Sequence, residues 1–338
     1  MILAIETSCD ETAAAITNGR EILSNIVKSQ IDIHSKFGGV VPEVASRHHA
    51  ECIAQITKIA LAEAKISFKD VSAVAVTYAP GLIGALLVGV NFAKSLAYSL
   101  EVPLVPVHHL RGHVASCYID SDLKPPFIAL TASGGHSHIM RVDDYTNYKI
   151  LGRTLDDAAG ECFDKSARSL GLAYPGGINL DKLADLGNAE NFTLPTPKSG
   201  DGLYDMSFSG LKTAVVNILH NLTQKGEELN QTQKADLAAC IRQKICDILI
   251  DNSVRAAVDS GINRLAISGG VAANSELRRR IVAECESNNI KCFVPKLKYC
   301  GDNAAMIGVQ AHYELIKGNV ASANLNGFAT MNVENLTF

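Results

Sequence analysis

Residues 2–27, ILAIETSCDETAAAITNGREILSNIV, contain the pattern on which the fold prediction depends. The apolar run at 2–5 is typical of a buried strand and leads into a polar turn at 7–12. Two further apolar runs then flank Asn18 and Gly19, a dipeptide that favours a tight hairpin turn because both residues tolerate positive φ. The segment therefore predicts one strand followed by a β-hairpin.

The rest of the chain alternates between strand-like and helix-like patterns, which indicates an α/β protein. A second cycle opens as the first does, with an apolar run at 127–131, a turn at 133–136 and a return at 137–142. Two halves that each open on a hairpin predict an internal duplication. The other predicted elements are helices at 42–64, 82–100 and 237–257, strands at 71–77, 104–107 and 265–267, and a long loop at 193–209.

Composition limits the classes of protein to which the chain can belong. Its 338 residues suffice for two domains with separate cores, and 47% hydrophobic against 20% charged residues is typical of globular proteins. The formal net charge is -4, so the overall field does not attract nucleic acid, and any RNA must contact a local basic patch or a partner. The candidate patch comprises Arg278, Arg279, Arg280, Lys296 and Lys298, although such a run is also typical of a solvated helix face.

Cysteine usage and the long apolar run indicate in which cellular compartment the protein is expected. The nine cysteines are odd in number and lack C-x-x-C spacing, which disfavours disulfides and a cysteine zinc site and predicts a reducing, cytoplasmic setting. The run at 81–100 includes Asn91 and Lys94 and follows Pro80, so a buried helix is favoured over a membrane span. No basic segment precedes the first strand, and we expect neither secretion nor a membrane segment.

Three strand-to-turn segments, at 7–12, 133–136 and 268–274, place small or hydroxylated residues directly after a strand. Two of them contain Ser-Gly-Gly, where the missing Cβ atoms let backbone N–H groups approach a phosphate closely. A single such segment is more often just a tight turn. Three in one chain predict a nucleotide or another phosphate ligand.

His109 and His113 stand four residues apart, so on a helix their imidazoles project from one face at a spacing suited to a metal ion. Asp302, at the predicted start of another helix, is the candidate third ligand. The alternative is that one histidine packs or caps while the other is solvated. Leu110 replaces the glutamate of H-E-x-x-H, so the general base of a zinc protease is missing.

Two groups of acidic residues are further candidates. Asp157, Glu161 and Asp164 are spaced for one face of a helix, where they would bind a ribose hydroxyl or a cation, or form a solvated stripe. Asp10 and Glu11 in the first turn are candidates to orient a water, a metal ion or a substrate hydroxyl; helix capping is the alternative.

Eight motifs in this order resemble the TsaD (Gcp, YgjD) family over nearly the whole chain. They are IETSCDET from Ile5, GGVVPE from Gly38, HHLRGH from His108, SGGH from Ser133, DDAAGECFDK from Asp156, YPGG from Tyr174, SFSGLKT from Ser207 and SGGVAAN from Ser268. The resemblance implies the ASKHA (actin/Hsp70/sugar kinase-like) fold, with two duplicated lobes and a ligand cleft between them. The lobes are expected at residues 1–110 plus about 302–338, and at 111–301.

The resemblance also implies an activity and its residues. The family transfers threonylcarbamoyl from threonylcarbamoyl-AMP to N6 of adenosine 37 in tRNAs that read codons beginning with A. His109, His113 and Asp302 would then bind one divalent metal, with Fe²⁺ favoured and Zn²⁺ the alternative. The implied adenylate-binding residues are Thr131, Ala132, Ser133, Gly134, Gly135, Asp164, Gly177, Asp181 and Asn274. Asp10 and Glu11 are the candidate catalytic groups.

The implied partners are a TsaB-like paralogue and a TsaE-like ATPase, and the small-residue helix with Gly84, Ala85 and Gly89 is a candidate TsaB-facing surface unless it simply packs in the core. Arg111 departs from the family, whose bacterial members usually have glutamate there. Three alternatives remain: a small-molecule kinase of the same fold, a metalloprotease, and a module that only senses nucleotide. The histidine pair argues against the kinase and Leu110 against the protease.

Overall fold

The computed structural model describes residues 1–197 and 202–338, so part of the predicted loop at 193–209 lies outside the described residues. Contacts divide the chain into two compact units. Unit 1 comprises Met1–Pro125, Val142–Lys149 and Pro295–Phe338, and unit 2 comprises Pro126–Arg141 and Ile150–Val294.

Unit 1 contains a five-stranded mixed sheet in the order β3-β2-β1-β4-β5. The strands are β1 (Ile2–Glu6), β2 (Glu11–Asn18), β3 (Glu21–Ser29), β4 (Ala73–Ala79) and β5 (Leu104–His108). β1 pairs antiparallel with β2 and parallel with β4. Gly19 has φ +61° in the turn between β2 and β3, which confirms the predicted hairpin. The turn is formed by residues 19–20, because Asn18 is still the last residue of β2.

Helices cover this sheet. They are α1 (Ile31–His34), α2 (Pro42–Glu63), α3 (Ile83–Leu100), α4 (His109–Ala115) and, from the far end of the chain, α10 (Ala304–Lys317). Leu3, Ile56, Val74 and Val90 belong to a core in which α2 and α3 pack on the central strands. α10 packs against β1, β2 and α4.

The second five-stranded sheet has the order β10-β9-β6-β7-β8, the same arrangement as the first when its strands are counted from β6. Its strands are β6 (Phe127–Ala132), β7 (Ser137–Asp144), β8 (Asn147–Arg153), β9 (Arg264–Ser268) and β10 (Lys291–Phe293). The helices between them are α5 (Ala159–Ser169), α6 (Gly176–Ala184), α7 (Ser209–Gln224), α8 (Gln231–Asp259) and α9 (Ser275–Ser287). β6 pairs parallel with β9 as β1 does with β4, so the predicted duplication is confirmed.

Compared with the predicted lobes, unit 1 also includes residues 111–125, 142–149 and 295–301. For the segment that contains α4, the physical reason is that α4 packs against α10 within unit 1. A sequence pattern does not reveal such a contact between segments that are distant in the chain.

Among the described residues, α3 is the one helix whose length and hydropathy would suffice to cross a membrane, a test that the core helix of a soluble protein also passes. Its Leu86 and Val90 are buried against the rest of unit 1. A Cβ added to Gly84 would overlap Ser46, and one added to Gly89 would overlap Thr7. These contacts support the interpretation that Gly84 and Gly89 serve packing within the unit, and a TsaB-facing role of this helix stays a prediction.

Candidate metal centre and ligand pocket

The three predicted metal ligands converge in unit 1. α4 begins at His109, because His108 caps it by accepting a hydrogen bond from Leu110 N at 3.2 Å, and one helical turn then brings His113 beneath His109. Their ring centroids lie 4.5 Å apart. Asp302 precedes α10, and its Oδ1 lies 3.5 Å from His109 Nε2 and 3.2 Å from His113 Nε2. One ligand atom from each residue lies within 4.8 Å of the others.

Behind His109 is a buried carboxylate that the sequence interpretation missed. Glu6 Oε2 lies 3.1 Å from His109 Nδ1 and accepts a hydrogen bond from Thr77 Oγ1 at 2.6 Å, while Oε1 accepts from Ser8 N. Ser8 Oγ also lies 3.1 Å from His109 Nδ1. A carboxylate on Nδ1 fixes the imidazole tautomer that turns Nε2 towards a metal. The sequence signal that could have identified Glu6 is an acidic residue inside an otherwise apolar strand.

The surroundings of His113 suit a metal ion. The residue is 1% exposed, and within the described part of the chain neither of its ring nitrogens makes a hydrogen bond of good geometry. Burial, and next the neighbouring His109, lower the pKa of His113, which keeps a lone pair available. Burial also lowers the pKa of His109, but Asp302 and Glu6 outweigh it and raise that pKa to about 9. Two imidazoles and a carboxylate are donors that Fe²⁺ and Zn²⁺ both accept.

The predicted catalytic residues lie beside this cluster. Asp10 is buried, and Glu11 Oε1 accepts a hydrogen bond from Ser29 Oγ at 3.0 Å. Burial, followed by the charges of Asp302 and Asp10, raises the pKa of Glu11 to about 9. Three carboxyl groups thus share one region of unit 1, and their mutual repulsion favours the protonated form of Glu11.

His49, another residue absent from the sequence interpretation, holds the turn that carries Asp10 and Glu11. It is fully buried on α2; its Nε2 donates to Cys9 O at 2.8 Å, and its Nδ1 lies 2.7 Å from Thr12 Oγ1. Since a carbonyl can only accept, Nε2 carries the hydrogen. Burial lowers the pKa of His49, which favours the neutral ring, and the Nδ1 of a neutral ring accepts from the Thr12 hydroxyl. The turn is therefore anchored at both ends by a neutral imidazole.

Five of the predicted adenylate-binding residues line one cavity of about 330 Å³ in unit 2: Gly134, Asp164, Gly177, Asp181 and Asn274. Its walls also include apolar side chains, namely Phe163, Pro175, Ile178 and Val271. An apolar pocket with a few polar groups is the usual form of a small-molecule site, and this volume suits a nucleotide-sized ligand.

Three polar side chains of the cavity are held by their own contacts. Asp164 Oδ1 accepts from Gly177 N at 2.9 Å in the first turn of α6. Asp181 accepts from Arg242 NH1 at 2.8 Å and from Ser275 N at 3.0 Å. Asn274 Oδ1 caps α9 by accepting from Leu277 N, so the group it can offer a ligand is its amide NH₂.

The remaining predicted residues lie where β6 ends. Thr131 and Ala132 are buried, and Thr131 Oγ1 lies 2.9 Å from Ser268 Oγ. Ser133 O accepts from Gly160 N at 3.1 Å, and a Cβ on Gly160 would overlap Ser133 O, so a glycine is needed at position 160 for this approach. Gly135 is exposed and is not among the residues that line the cavity.

Two sequence interpretations change with the structure. α5 begins at Ala159, so Asp157 precedes the helix, and Lys165 binds both Asp157, at 2.8 Å, and Glu161, at 2.7 Å. The predicted acidic stripe is therefore wrong as a single helix face. In the candidate basic patch, salt bridges join Arg279 to Glu276, Arg280 to Asp247 and Lys296 to Asp120. Much of its charge is thereby neutralised locally.

Comparison with solved structures supports the fold. HypF from T. kodakarensis superposes with a TM-score of 0.61 at 16% identity, over 96% of this chain and 48% of that one. Component A of the (R)-2-hydroxyglutaryl-CoA dehydratase of Acidaminococcus fermentans superposes with a TM-score of 0.54 at 15% identity, over 93% and 98%. With the duplicated sheets, these matches confirm the predicted ASKHA fold.

Sequence comparison identifies the family. The model of the TsaD family, described as tRNA N6-adenosine threonylcarbamoyltransferase, matches residues 21–309. A protein of that name from Clostridium perfringens is 52% identical over 328 residues, which is 96% of each chain. One from Clostridium novyi is 50% identical over 333 residues, 98% of this chain and 97% of the relative. The chain therefore belongs to the TsaD family of tRNA N6-adenosine threonylcarbamoyltransferases.

Proposed function

We propose that this protein transfers the threonylcarbamoyl group from threonylcarbamoyl-AMP to N6 of adenosine 37 in tRNAs reading codons that begin with A, and releases AMP. The observation that carries the proposal is the convergence of His109, His113 and Asp302, with Glu6 behind His109, in a chain of the TsaD family. A kinase of this fold needs no such imidazole pair.

The reaction is an acyl transfer. The adenine N6 amine attacks the carbamoyl carbonyl carbon, a C–N bond forms, the C–O bond to phosphate breaks, and the amine gives up one proton. An exocyclic adenine amine is a poor nucleophile, so the protein has to position the reactants and stabilise charge on the carbonyl and phosphate oxygens. A mixed anhydride with AMP is already activated, which leaves positioning as the main task.

His109, His113 and Asp302 would hold one divalent metal ion, with Fe²⁺ the first choice and Zn²⁺ the second. When bound, the ion supplies Lewis-acid stabilisation of negative charge on substrate oxygens. Glu6 keeps His109 Nδ1 engaged, so that Nε2 faces Asp302. Asp10 and Glu11 are our candidates to accept the amine proton or to orient a substrate oxygen.

The cavity in unit 2 would bind the AMP part of the donor. Its apolar walls suit an adenine ring, Asp164 has a carboxylate suited to the ribose hydroxyls, and Asn274 has an NH₂ group suited to a phosphate oxygen. We further propose that Thr131, Ala132, Ser133 and Gly135 contribute through the backbone where β6 ends. Asp181 acts through its neighbours, since Arg242 and Ser275 already occupy its carboxylate.

The net charge of -4 implies that tRNA is recruited with help, and we propose a TsaB-like paralogue and a TsaE-like ATPase as partners in the cytoplasm. The test is transfer of labelled threonylcarbamoyl from pre-formed threonylcarbamoyl-AMP to unmodified tRNA, with these partners present. We expect label in tRNA with the unsubstituted protein and none with His109→Ala. His220→Ala, an exposed histidine on α7, is the matched control and should retain activity. Absence of label under every partner combination would refute the transferase assignment.

A further inference from the structure

Arg111 lies between the two histidine ligands on α4, yet its side chain extends away from them into a buried site. The residue is 2% exposed. Nε and NH2 both donate to Val333 O, at 3.1 and 2.7 Å, and NH1 donates to Thr146 O and to Glu314 Oε1, each at 3.1 Å. The guanidinium also lies 4.8 Å from the ring centroid of Tyr148. These partners compensate the cost of burying the guanidinium charge, so the folded state depends on them.

Glu314, the counter-charge, is fully buried on α10. Besides Arg111, it accepts from Gln310 Nε2 at 2.8 Å and from Asn319 Nδ2 at 2.6 Å. Gln310 in turn donates to Tyr145 O at 2.9 Å. Both carboxylate oxygens are thus satisfied, which is the condition under which a buried ion pair favours a single arrangement of its elements.

The pair joins the two elements that present the metal ligands. α4 carries His109 and His113, and α10 begins two residues after Asp302. The helices approach closely at Gly112, where an added Cβ would overlap Ile307 Cδ1. Ridge-into-groove packing leaves a scatter of about 15–20° in the crossing angle of two helices, so a directional bond between them narrows their arrangement. The Arg111–Glu314 bond is such a directional link.

A further segment is tied to the same arginine. Phe328 N donates to Tyr78 O at 2.9 Å, Gly81 N donates to Ala329 O at 3.2 Å, and His108 Nε2 lies 3.3 Å from Met331 O. The two hydrogen bonds from Arg111 to Val333 O extend this row of contacts by the same segment. Segment 328–333 therefore runs across the ends of β4 and β5, directly beneath the start of α4, and Arg111 fastens it to α4.

We propose that Arg111 is a positioning residue of the metal centre: through Glu314 and Val333 it sets the geometry between the histidine pair on α4 and Asp302 before α10. This role rests on the metal site of the proposed function but not on the identity of the acyl donor or the tRNA. The link requires a forked cation at position 111 and an acid at position 314, and this chain has both.

The test measures metal binding by purified protein stripped of metal, without tRNA or partners. Zn²⁺ affinity is obtained by competition with a chromophoric chelator, and Co²⁺ is added separately to record the d–d absorption that reports ligand geometry. We expect Arg111→Met to weaken Zn²⁺ binding about tenfold or more and to change the Co²⁺ spectrum. Glu314→Gln should act in the same direction, and Arg111→Lys, which keeps the charge but loses the fork, should fall between Arg111→Met and the unsubstituted protein.

Ile56→Ala is the matched control, because it truncates a buried side chain of the unit 1 core on α2, a helix that packs mainly on β2, β3 and α3. It should lower the melting temperature and leave Zn²⁺ affinity and the Co²⁺ spectrum unchanged. If Arg111→Met does not fold, the Zn²⁺ affinity and Co²⁺ spectrum of Arg111→Lys test the proposal instead. Unchanged Zn²⁺ affinity and Co²⁺ spectrum in a folded Arg111 variant, or an equal loss in Ile56→Ala, would overturn the proposal. Absence of Zn²⁺ binding by the unsubstituted protein would overturn the metal site itself, whereas loss of tRNA transfer alone would concern only the proposed reaction.

Discussion

Replacing Glu6 with glutamine tests whether the buried carboxylate behind His109 governs the metal centre. Glu6 is fully buried and faces three potential donors: Ser8 N, Thr77 Oγ1 and His109 Nδ1–H. Glutamine has nearly the same shape, but its side chain has one oxygen and one NH₂ group. At least one of the three donors must therefore face the NH₂ group, and the negative charge that stabilises the His109 orientation is lost.

Two costs follow from this geometry. A buried donor without an acceptor destabilises the folded state by about 1–3 kcal/mol, which should appear in a denaturant melt. Loss of a partner that orients a histidine ligand typically lowers metal affinity by about 10- to 100-fold, or about 1.4–2.7 kcal/mol of binding free energy. We expect both effects in Glu6→Gln.

The assay is Zn²⁺ competition with a chromophoric chelator on metal-stripped protein, paired with a urea melt of the same preparation. Asp236→Asn is the matched control, since this carboxylate in unit 2 also accepts two hydrogen bonds, from Asn188 N at 2.7 Å and Asn191 Nδ2 at 2.9 Å. It should cost stability without changing Zn²⁺ affinity. A Glu6→Gln protein that is folded and binds Zn²⁺ as tightly as the unsubstituted protein would refute the role given to Glu6.

Three further predictions concern unit 2. Asp164→Asn should weaken AMP binding by about tenfold in calorimetry while Zn²⁺ affinity stays unchanged, because a charged acceptor is lost from the cavity; unaltered AMP binding would contradict the assigned pocket. Burial, and next the charge of Arg153, lower the pKa of His138 to about 4. Its neutral form is thus favoured on folding, and protonation of His138 should remove about 3 kcal/mol of stability as pH drops from about 6.5 to about 4. Melts of His138→Gln should lose about that much less over the same range, and an equal loss there would refute this contribution. Gly187→Ala should lower stability by about 1–3 kcal/mol in a urea melt, because the added Cβ would overlap Ala235 O; an unchanged midpoint would show that the backbone can move aside.

Local sequence signals predicted much of the fold because they act over a few residues. The pattern at 42–64 predicted α2, observed as Pro42–Glu63, and the dipeptide at Asn18 predicted the first hairpin. The assignment of α4 to unit 1 was not predictable in this way, since it depends on contacts with α10, almost two hundred residues later in the chain.

The residues of the candidate site also fall into those that local sequence predicts and those that only the assembled fold reveals. His109 and His113 were identifiable from their spacing alone, because a helix brings positions i and i+4 together. Glu6 reaches His109 only because β1 and β4 are neighbours and α4 begins where β5 ends, so its role required the assembled sheet. His49 likewise meets Cys9 and Thr12 only after α2 packs on the sheet.

The duplicated sheets differ in the chemistry of one cross-strand pair of polar residues. Thr131 and Ser268 are paired across β6 and β9, with their hydroxyls 2.9 Å apart. The corresponding pair in the first sheet follows Ile5 and Val76 across β1 and β4, and it consists of Glu6 and Thr77. Each sheet thus places a pair of polar side chains where two parallel strands end. In the first sheet one member is a carboxylate, which supplies the charge that orients His109, whereas in the second sheet both members are hydroxyls and lie beside a glycine-rich turn.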